Sequence, residues 1–252
     1  MLPERACVTV AGRQMVDEFN QSMQFYHEGR SSMTWQLMSR RQPARKGSTT
    51  PCLHGLVLFA AIAVTWDLVP AAEVETVEPA LQPRQHEAWC FARGDWSMGD
   101  GLLEQKDADR GSVAILREPA FSDFTFSFEF NVKPAGSGVR AAAACFRATG
   151  TLTYYWLHLD TRNNSVILVR STPENTWNEI ARRSYPLDDD TWRQVTVACQ
   201  GAGVTISIDG EAALSASDST LTAGRVGLGT SQGQVAFRHL KIEGVVQDQP
   251  EA

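Results

Sequence analysis

The segment that most constrains the fold is the run FTFSFEFNV at residues 124–132, in which phenylalanines alternate with mostly polar residues. Successive side chains of a β-strand point to opposite faces, so the run predicts a strand with one aromatic face and one polar face. We expect the phenylalanine face to be buried against a second layer of structure. The aromatic residues are Phe124, Phe126, Phe128 and Phe130, and the outward residues are Thr125, Ser127, Glu129 and Asn131.

Two later segments repeat this alternation and predict strands with one core-facing and one outward-facing side. In residues 141–147, Phe146 takes the core side, which turns Cys145 and Arg147 outward. In residues 154–160, two leucines and a tyrosine take the core side. The residues expected on the outward side of this second segment are Tyr154, Trp156, His158 and Asp160.

Further short apolar segments follow at the spacing of an all-β sandwich, and none sustains a helical period over several turns. Two facing antiparallel sheets can bury such rows of alternating side chains. The sequence therefore predicts an all-β domain over residues 89–244, built as a two-sheet antiparallel sandwich. The additional segments are residues 165–170, 192–199, 204–210, 225–230 and 235–244.

The chain ahead of this domain has the order of a signal peptide. Residues 38–51 carry four basic residues and no acidic one, and a mostly apolar run at residues 53–64 follows them. The run is too short for the roughly 20 residues that span a bilayer. The small residues Ala71 and Ala72 then suit a cleavage site. We expect residues 38–72 to be a signal peptide starting at Met38, and the mature protein to be secreted or periplasmic, with no stable membrane insertion after cleavage.

The remaining segments are assigned by composition. Residues 1–37 hold scattered charge without a clear apolar period, and we interpret them as an upstream extension from a start site placed too early. The alternative is a short tethered N-terminal tail. Residues 73–88 contain two prolines and several acids and predict a linker, and residues 245–252 predict a tail.

Charge and motifs exclude several classes of function. The formal net charge is -6, which repels polyphosphates and argues against a nucleic-acid partner. The chain has no phosphate-binding loop, CxxC pair, HExxH helix or GxSxG elbow, and the histidines of the mature chain are dispersed. We therefore expect no metal site and no cofactor. Carboxylates at residues 188–190 could bind calcium, but we interpret them as a solvated turn.

The outward residues of the first three strands suggest a ligand site. If these strands form a meander, Glu129, Arg147 and the pair Trp156 and His158 would span about 10 Å of one face, which matches one or two sugar rings. Aromatic rings pack against pyranose C–H groups, and charged side chains bind hydroxyls. The alternative is a solvated face with a cross-strand Glu129–Arg147 ion pair. Trp177 either contributes a contact at the rim or closes the sheet edge.

The order of several segments resembles a known fold. They are DFTFSFEF, CFR followed by YYWLHLD, the opening of WRQVTV, the hairpin VTISIDGEAAL, and AGRVGLGTSQGQVAFRHLKI. Together they resemble the concanavalin A-like jelly roll, in particular the laminin G-like and 3-keto-disaccharide hydrolase domains of secreted bacterial proteins.

This resemblance implies a saccharide or glycan partner and hydrolysis of a glycosidic bond in a keto-disaccharide or related saccharide. Glu129 would then be the acid or base, with His158 or Asp160 as its catalytic partner. The residues expected to bind the substrate are Arg147, Tyr154, Trp156 and Trp177. The alternatives are a carbohydrate-binding module without catalysis, which would use the same face, and a laminin G-like interaction domain, which would use its rim loops.

Overall fold

The computed structural model describes residues 73–109, 111–135, 138–150 and 152–247, which belong to one compact unit. The expected upstream extension, the signal peptide and the last five residues of the expected tail lie outside the described residues. The elements are β1 (Val74–Val77), a 3-10 helix (Pro83–Ala88), β2 (Trp89–Ala92), β3 (Trp96–Gly99), β4 (Leu102–Gln105), β5 (Ser112–Leu116), β6 (Ala120–Val132), β7 (Ala141–Ala148), β8 (Tyr154–Asp160), β9 (Ser165–Ser171), β10 (Asn178–Ser184), β11 (Arg193–Gln200), β12 (Gly203–Ile208), β13 (Glu211–Ser217), β14 (Arg225–Ser231) and β15 (Val235–Gln247).

The strands form two antiparallel sheets, which confirms the predicted sandwich. The eight-stranded sheet has the order β13-β12-β11-β6-β15-β4-β3, and β1 pairs with β15 beside this path. The seven-stranded sheet has the order β10-β9-β8-β7-β14-β5-β2. No helix among the described residues is long and apolar enough to cross a membrane.

The core lies between the two sheets, and the alternating phenylalanines of β6 are buried in it. Phe126 and Phe128 are 0% and 1% exposed, and their ring centroids lie 5.0 Å apart. Phe124 meets Phe146 of the opposite sheet edge-on, with 6.2 Å between ring centroids. Aromatic pairs in such tilted and edge-on arrangements stabilise a core beyond the area that they bury. The face assignment from the sequence is therefore confirmed for β6.

The predicted meander of the first three strands is wrong, because β6 and β7 belong to different sheets. β6 pairs with β11 and β15, whereas β7 pairs with β8 and β14. The chain thus passes from one sheet to the other between Val132 and Ala141. Alternation along one strand specifies which side chains share a face, but it carries no information about which strand is the neighbour.

The segment expected to be a linker is part of the sandwich. Val74 and Val77 of β1 pair with Val245 and Ile242 near the end of β15. Leu81 is 2% exposed and belongs to the core between the sheets. Prolines and acids dominate this segment, so its few apolar residues do not form a periodic pattern, although they are enough to dock it.

Candidate functional site

The outer face of the seven-stranded sheet, here called the β8 face, carries the aromatic and polar residues that the sequence placed outward on β8. Tyr155, Leu157 and Leu159 lie in the core between the sheets, so the alternate residues of β8 point away from it. The pairing of β8 with β7, and of β7 with β14, places the outward residues of these three strands in successive rows.

The indole of Trp156 lies across β7 onto β14. Trp156 pairs with Cys145 of β7, which in turn pairs with Gly227 of β14. A Cβ atom at Gly229, two residues further along β14, would overlap the far end of the indole, at Cη2. The small residues of β7 and β14 thus leave room for the ring, and a larger residue at Gly229 would displace it.

The aromatic residues of the β8 face are buried, whereas the sequence predicted an exposed platform. Trp156 is 2% exposed and Tyr154 is 3% exposed. Burial raises the pKa of the Tyr154 hydroxyl well above its ordinary value and that of the Cys145 thiol to about 12. Both groups therefore stay protonated at neutral pH. Together with Ile115, Ile167 and other residues they form an apolar cluster separate from the main core.

A polar cluster around His158 adjoins this apolar cluster. Nδ1 of His158 lies 3.3 Å from the hydroxyl of Ser231, and Nε2 lies 3.8 Å from Oδ2 of Asp160. The ring of Trp177 meets the imidazole edge-on, with 5.6 Å between centroids. The structure therefore brings together three predicted site residues, His158, Asp160 and Trp177. It adds Ser231, which no sequence pattern could select because the pairing of β14 with β7 is long-range.

The carboxylate of Asp160 is hydrogen-bonded within the turn between β8 and β9. Its carboxylate accepts hydrogen bonds from the backbone N–H groups of Arg162 (2.9 Å) and Asn163 (3.0 Å) and from the Asn163 side chain (2.7 Å). Burial alone would raise the pKa of Asp160, but the nearby His158 imidazole and the hydrogen bonds from Asn163 hold it below its ordinary value. A carboxylate that stays ionised and bonded in this way suits positioning of His158 better than proton donation.

Arg147 is not on the β8 face, contrary to the sequence prediction. Its φ is 50°, and the register between β7 and β14 shifts beside it. This β-bulge turns the side chain inward, where it is 0% exposed. The guanidinium donates to the carbonyls of Ser122 (3.0 Å from Nη2) and Leu221 (2.9 Å from Nη1). Arg147 therefore ties the beginning of β6 and the loop between β13 and β14 to β7.

Glu129 lies on the outer face of the other sheet, so it is the catalytic partner of neither His158 nor Asp160. Its carboxylate accepts hydrogen bonds from Nε of Arg238 (2.7 Å) and from Nδ1 of His239 (2.9 Å). Burial raises the pKa of Glu129, but these bonds outweigh it and hold the pKa below its ordinary value. The guanidinium of Arg238 also stacks 4.0 Å from the Trp192 ring centroid. The predicted Glu129–Arg147 ion pair is thus replaced by a cluster on the opposite face.

The carboxylates of the turn at residues 188–190 all have basic partners. Asp188 pairs with Arg193 at 2.9 Å and Asp189 with Arg140 at 2.9 Å. Asp190 pairs with Lys133 at 2.5 Å. Across the part of the chain that the structure describes, no group of three or more histidine, cysteine or acidic side chains could hold a metal ion.

Two polar atoms on strands β8 and β9 are buried and lack partners among the described residues. The indole nitrogen Nε1 of Trp156 and the hydroxyl of Ser165 have no hydrogen-bond partner among the described residues. Ser165 pairs with Asp160 in the sheet, so both atoms belong to the face that carries His158. Buried polar groups are nearly always hydrogen-bonded, because leaving one unsatisfied costs about 1–3 kcal/mol.

Comparison with solved structures supports the fold. The chain is similar to the carbohydrate-binding module CBM66 from Bacillus subtilis, at 22% sequence identity and a TM-score of 0.56, over 61% of this chain and 94% of that chain. It is also similar to a Bacillus subtilis protein of unknown function with a galectin-like fold, at 17% identity and a TM-score of 0.53, over 68% and 95% of the two chains. The Ca²⁺- and mannose-bound exoplasmic/lumenal domain of VIP36 matches at 13% identity and a TM-score of 0.53, over 70% and 92%.

Comparison with protein families identifies the chain more closely. A search of curated proteins gave no match. The profile of the 3-keto-alpha-glucoside-1,2-lyase-like domain matches residues 84–243, which is more than half of the chain. This match confirms the resemblance drawn from the strand segments. The chain belongs to the family of 3-keto-alpha-glucoside-1,2-lyase-like domains.

Proposed function

We propose that this protein is a carbohydrate-active domain that binds a saccharide on the β8 face. The observation that carries the proposal is the pair of buried, unpartnered polar atoms, Trp156 Nε1 and Ser165 Oγ, on the face that carries the indole. A saccharide supplies hydroxyl groups for both atoms and C–H groups for the indole. The family name and the fold shared with a carbohydrate-binding module agree with this ligand class.

We infer that Trp177 controls access to this surface, because it packs against the apolar cluster that contains Trp156. It lies at the end of the loop between β9 and β10 and meets the His158 ring edge-on. Because Trp156 is only 2% exposed, a ligand reaches the indole when Trp177 moves away from His158. Ligand binding should therefore change tryptophan fluorescence.

Binding is tested by calorimetry with maltotriose, cellotriose and methyl 3-keto-α-glucoside. Trp156→Phe keeps an aromatic ring but removes the N–H donor, and Ser165→Ala removes the hydroxyl. We expect each variant to bind about fivefold to tenfold more weakly, the effect of one hydrogen bond. Trp192→Phe, on the outer face of the other sheet, is the matched control and should bind as the wild type does. Equal binding by all three variants would show that the ligand lies elsewhere.

A second candidate function is elimination from a 3-keto glycoside, which the family name and the position of His158 favour. The ketone at C3 acidifies the C2 proton. A base takes that proton, the C–H electron pair forms the C1–C2 double bond, the C1–oxygen bond breaks, and the departing oxygen gains a proton. This chemistry needs one base, whereas glycosidase hydrolysis uses two carboxyl groups that flank the bond. His158 is the candidate for that base: Asp160 lies beside its Nε2, and Nδ1, which faces the Ser231 hydroxyl, would take the proton.

Turnover is tested by mass spectrometry of the products from methyl 3-keto-α-glucoside. Elimination yields methanol and an unsaturated keto sugar, whereas hydrolysis yields methanol and 3-keto-glucose with one added water. We expect His158→Gln to abolish turnover and retain binding. His239→Gln removes a histidine of the opposite face and should retain both. Binding without turnover in the wild type would leave the domain a binding module, and turnover that survives His158→Gln would exclude His158 as the base.

A further inference from the structure

Arg225 occupies one end of the β8 face. It lies on β14 two residues before Gly227, whose partner Cys145 pairs with Trp156. Two residues of a strand span about 7 Å, so Arg225 lies one row beyond the indole. His158 belongs to the row on the other side, because its partner Ala143 pairs with Gly229. The face thus has an arginine at one end and the His158 cluster towards the other, about 14 Å apart along the strands.

Among the residues that the structure describes, Arg225 has no carboxylate partner, although acidic residues outnumber basic ones in this chain. Among the described residues its guanidinium forms no ion pair, and its buried Nε has no hydrogen-bond partner. Other arginines of the described domain do pair with acids: Arg140, Arg147, Arg170, Arg182, Arg193 and Arg238. Withdrawing a guanidinium nitrogen from water without a partner is costly.

A second arginine adds to the positive charge at this end. Gly227 pairs with Ile115 of β5, so Arg117, which follows the end of β5, lies at the same end of the sheet as Arg225. Arg117 donates through Nε to the carbonyl of Glu87 and forms no ion pair with a described residue. The positive charge of Arg225 also acts on the Cys145 thiol of the β8 face. There it opposes the rise in the pKa of Cys145 that burial causes. Two like charges at one end of the face, neither of which forms an ion pair with a described residue, favour binding of an anion.

We propose that the saccharide bound on the β8 face is anionic, with a carboxylate or sulfate group held by Arg225. This inference rests on the proposed function. A guanidinium binds either anion through two parallel N–H donors, which fixes the orientation of the sugar as well as adding affinity. The distance between Arg225 and the His158 cluster lets an oligosaccharide place its anionic group at one end and a second sugar beside the imidazole.

The inference is tested with matched trisaccharides that differ only at C6: maltotriose and cellotriose, their C6-oxidised uronic acids, and their C6-sulfated forms. The full chain as exported is titrated by calorimetry at low and high salt. We expect at least one anionic form to bind about tenfold more tightly than its neutral parent, and this preference to shrink in high salt. The stronger of the uronic acid and the sulfate identifies which anion is the ligand.

Arg225→Gln removes the charge and keeps a polar side chain of similar shape. It should lose the preference for the anionic form while binding the neutral parent as the wild type does. Arg84→Gln is the matched control, because it removes the same charge from the exposed 3-10 helix outside the seven-stranded sheet. It should keep the preference. Thermal unfolding of both variants checks that the fold is intact.

The outcomes separate this inference from the proposed function. Equal binding of neutral and anionic trisaccharides by the wild type overturns this inference and leaves the saccharide site standing. A preference that persists in Arg225→Gln overturns the role of Arg225. Inorganic sulfate that binds as tightly as the sulfated trisaccharide overturns the assignment of the anion to a saccharide. Failure of every trisaccharide and of methyl 3-keto-α-glucoside to bind overturns the proposed function and this inference together.

Discussion

Replacing Arg147 by methionine tests whether this residue holds the fold together instead of binding a ligand. The guanidinium is completely buried and donates to the carbonyls of Ser122 and Leu221. Methionine fills a similar volume but donates no hydrogen bond. Each partly buried carbonyl that loses its donor costs about 1–3 kcal/mol, so we expect the two together to cost about 4 kcal/mol. The ion pair with half-exposed Asp123, at 3.6 Å, adds little.

The loss is measured by urea unfolding and by calorimetry. A loss of about 4 kcal/mol should lower the midpoint temperature by about 8–16 °C for a domain of this size, with an unchanged denaturant slope. The matched control is Arg183→Met, since Arg183 also donates to two carbonyls, those of Ala212 and Ala213, but is itself exposed. Water can replace its donors, so we expect a loss below about 1 kcal/mol. The folded Arg147→Met protein should bind saccharides normally. Wild-type stability together with weakened binding would refute the reasoning.

The remaining predictions concern the core, the small residues that contact the indole, the turn after β8 and export. Phe128→Ala should cost about 3–5 kcal/mol in urea unfolding, and a loss below about 1 kcal/mol would mean that the ring is not packed. Gly229→Ala should displace the indole and alter the near-ultraviolet circular dichroism. An unchanged spectrum would contradict the close packing of the indole of Trp156 against Gly229. Because the folded pKa of Asp160 lies below its ordinary value of 3.8, wild type should exceed Asp160→Asn in stability at neutral pH and lose that advantage as pH falls below about 4. Sequencing the exported protein should place its N-terminus at or just after Ala72, and a product that retains residues before Met38 would exclude the signal peptide.

The face of each strand could be predicted from the sequence, and so could the class of fold. Alternation in β6 placed Phe128 in the core, and alternation in β8 placed Trp156 and His158 on one outward face. Both predictions depend only on the two-residue period of an extended chain, which is a local property. The resemblance of the strand segments also identified the family that the profile match confirms.

Predictions that needed the identity of a neighbouring strand were wrong. Glu129 was assigned to the site of His158 because β6 precedes β7 and β8 in the chain, but β6 pairs with β11 and β15 in the other sheet. Arg147 has the outward parity of its segment, yet a β-bulge with φ of 50° turns it into the interior. One inserted residue reverses the face to which each later side chain of the strand points, and no local sequence pattern predicts where the insertion occurs.

The sequence by itself therefore determined the all-β class, the buried phenylalanine row and the polar and aromatic row of β8, because each follows from the period of a single strand. Only the tertiary structure decided which residues meet. Ser231 reaches His158, and Gly229 underlies Trp156, because β14 lies beside β7. Pairing between strands far apart in the chain is selected by the packing of the whole sandwich, since many registers satisfy the same alternation and only one buries both sheets at once.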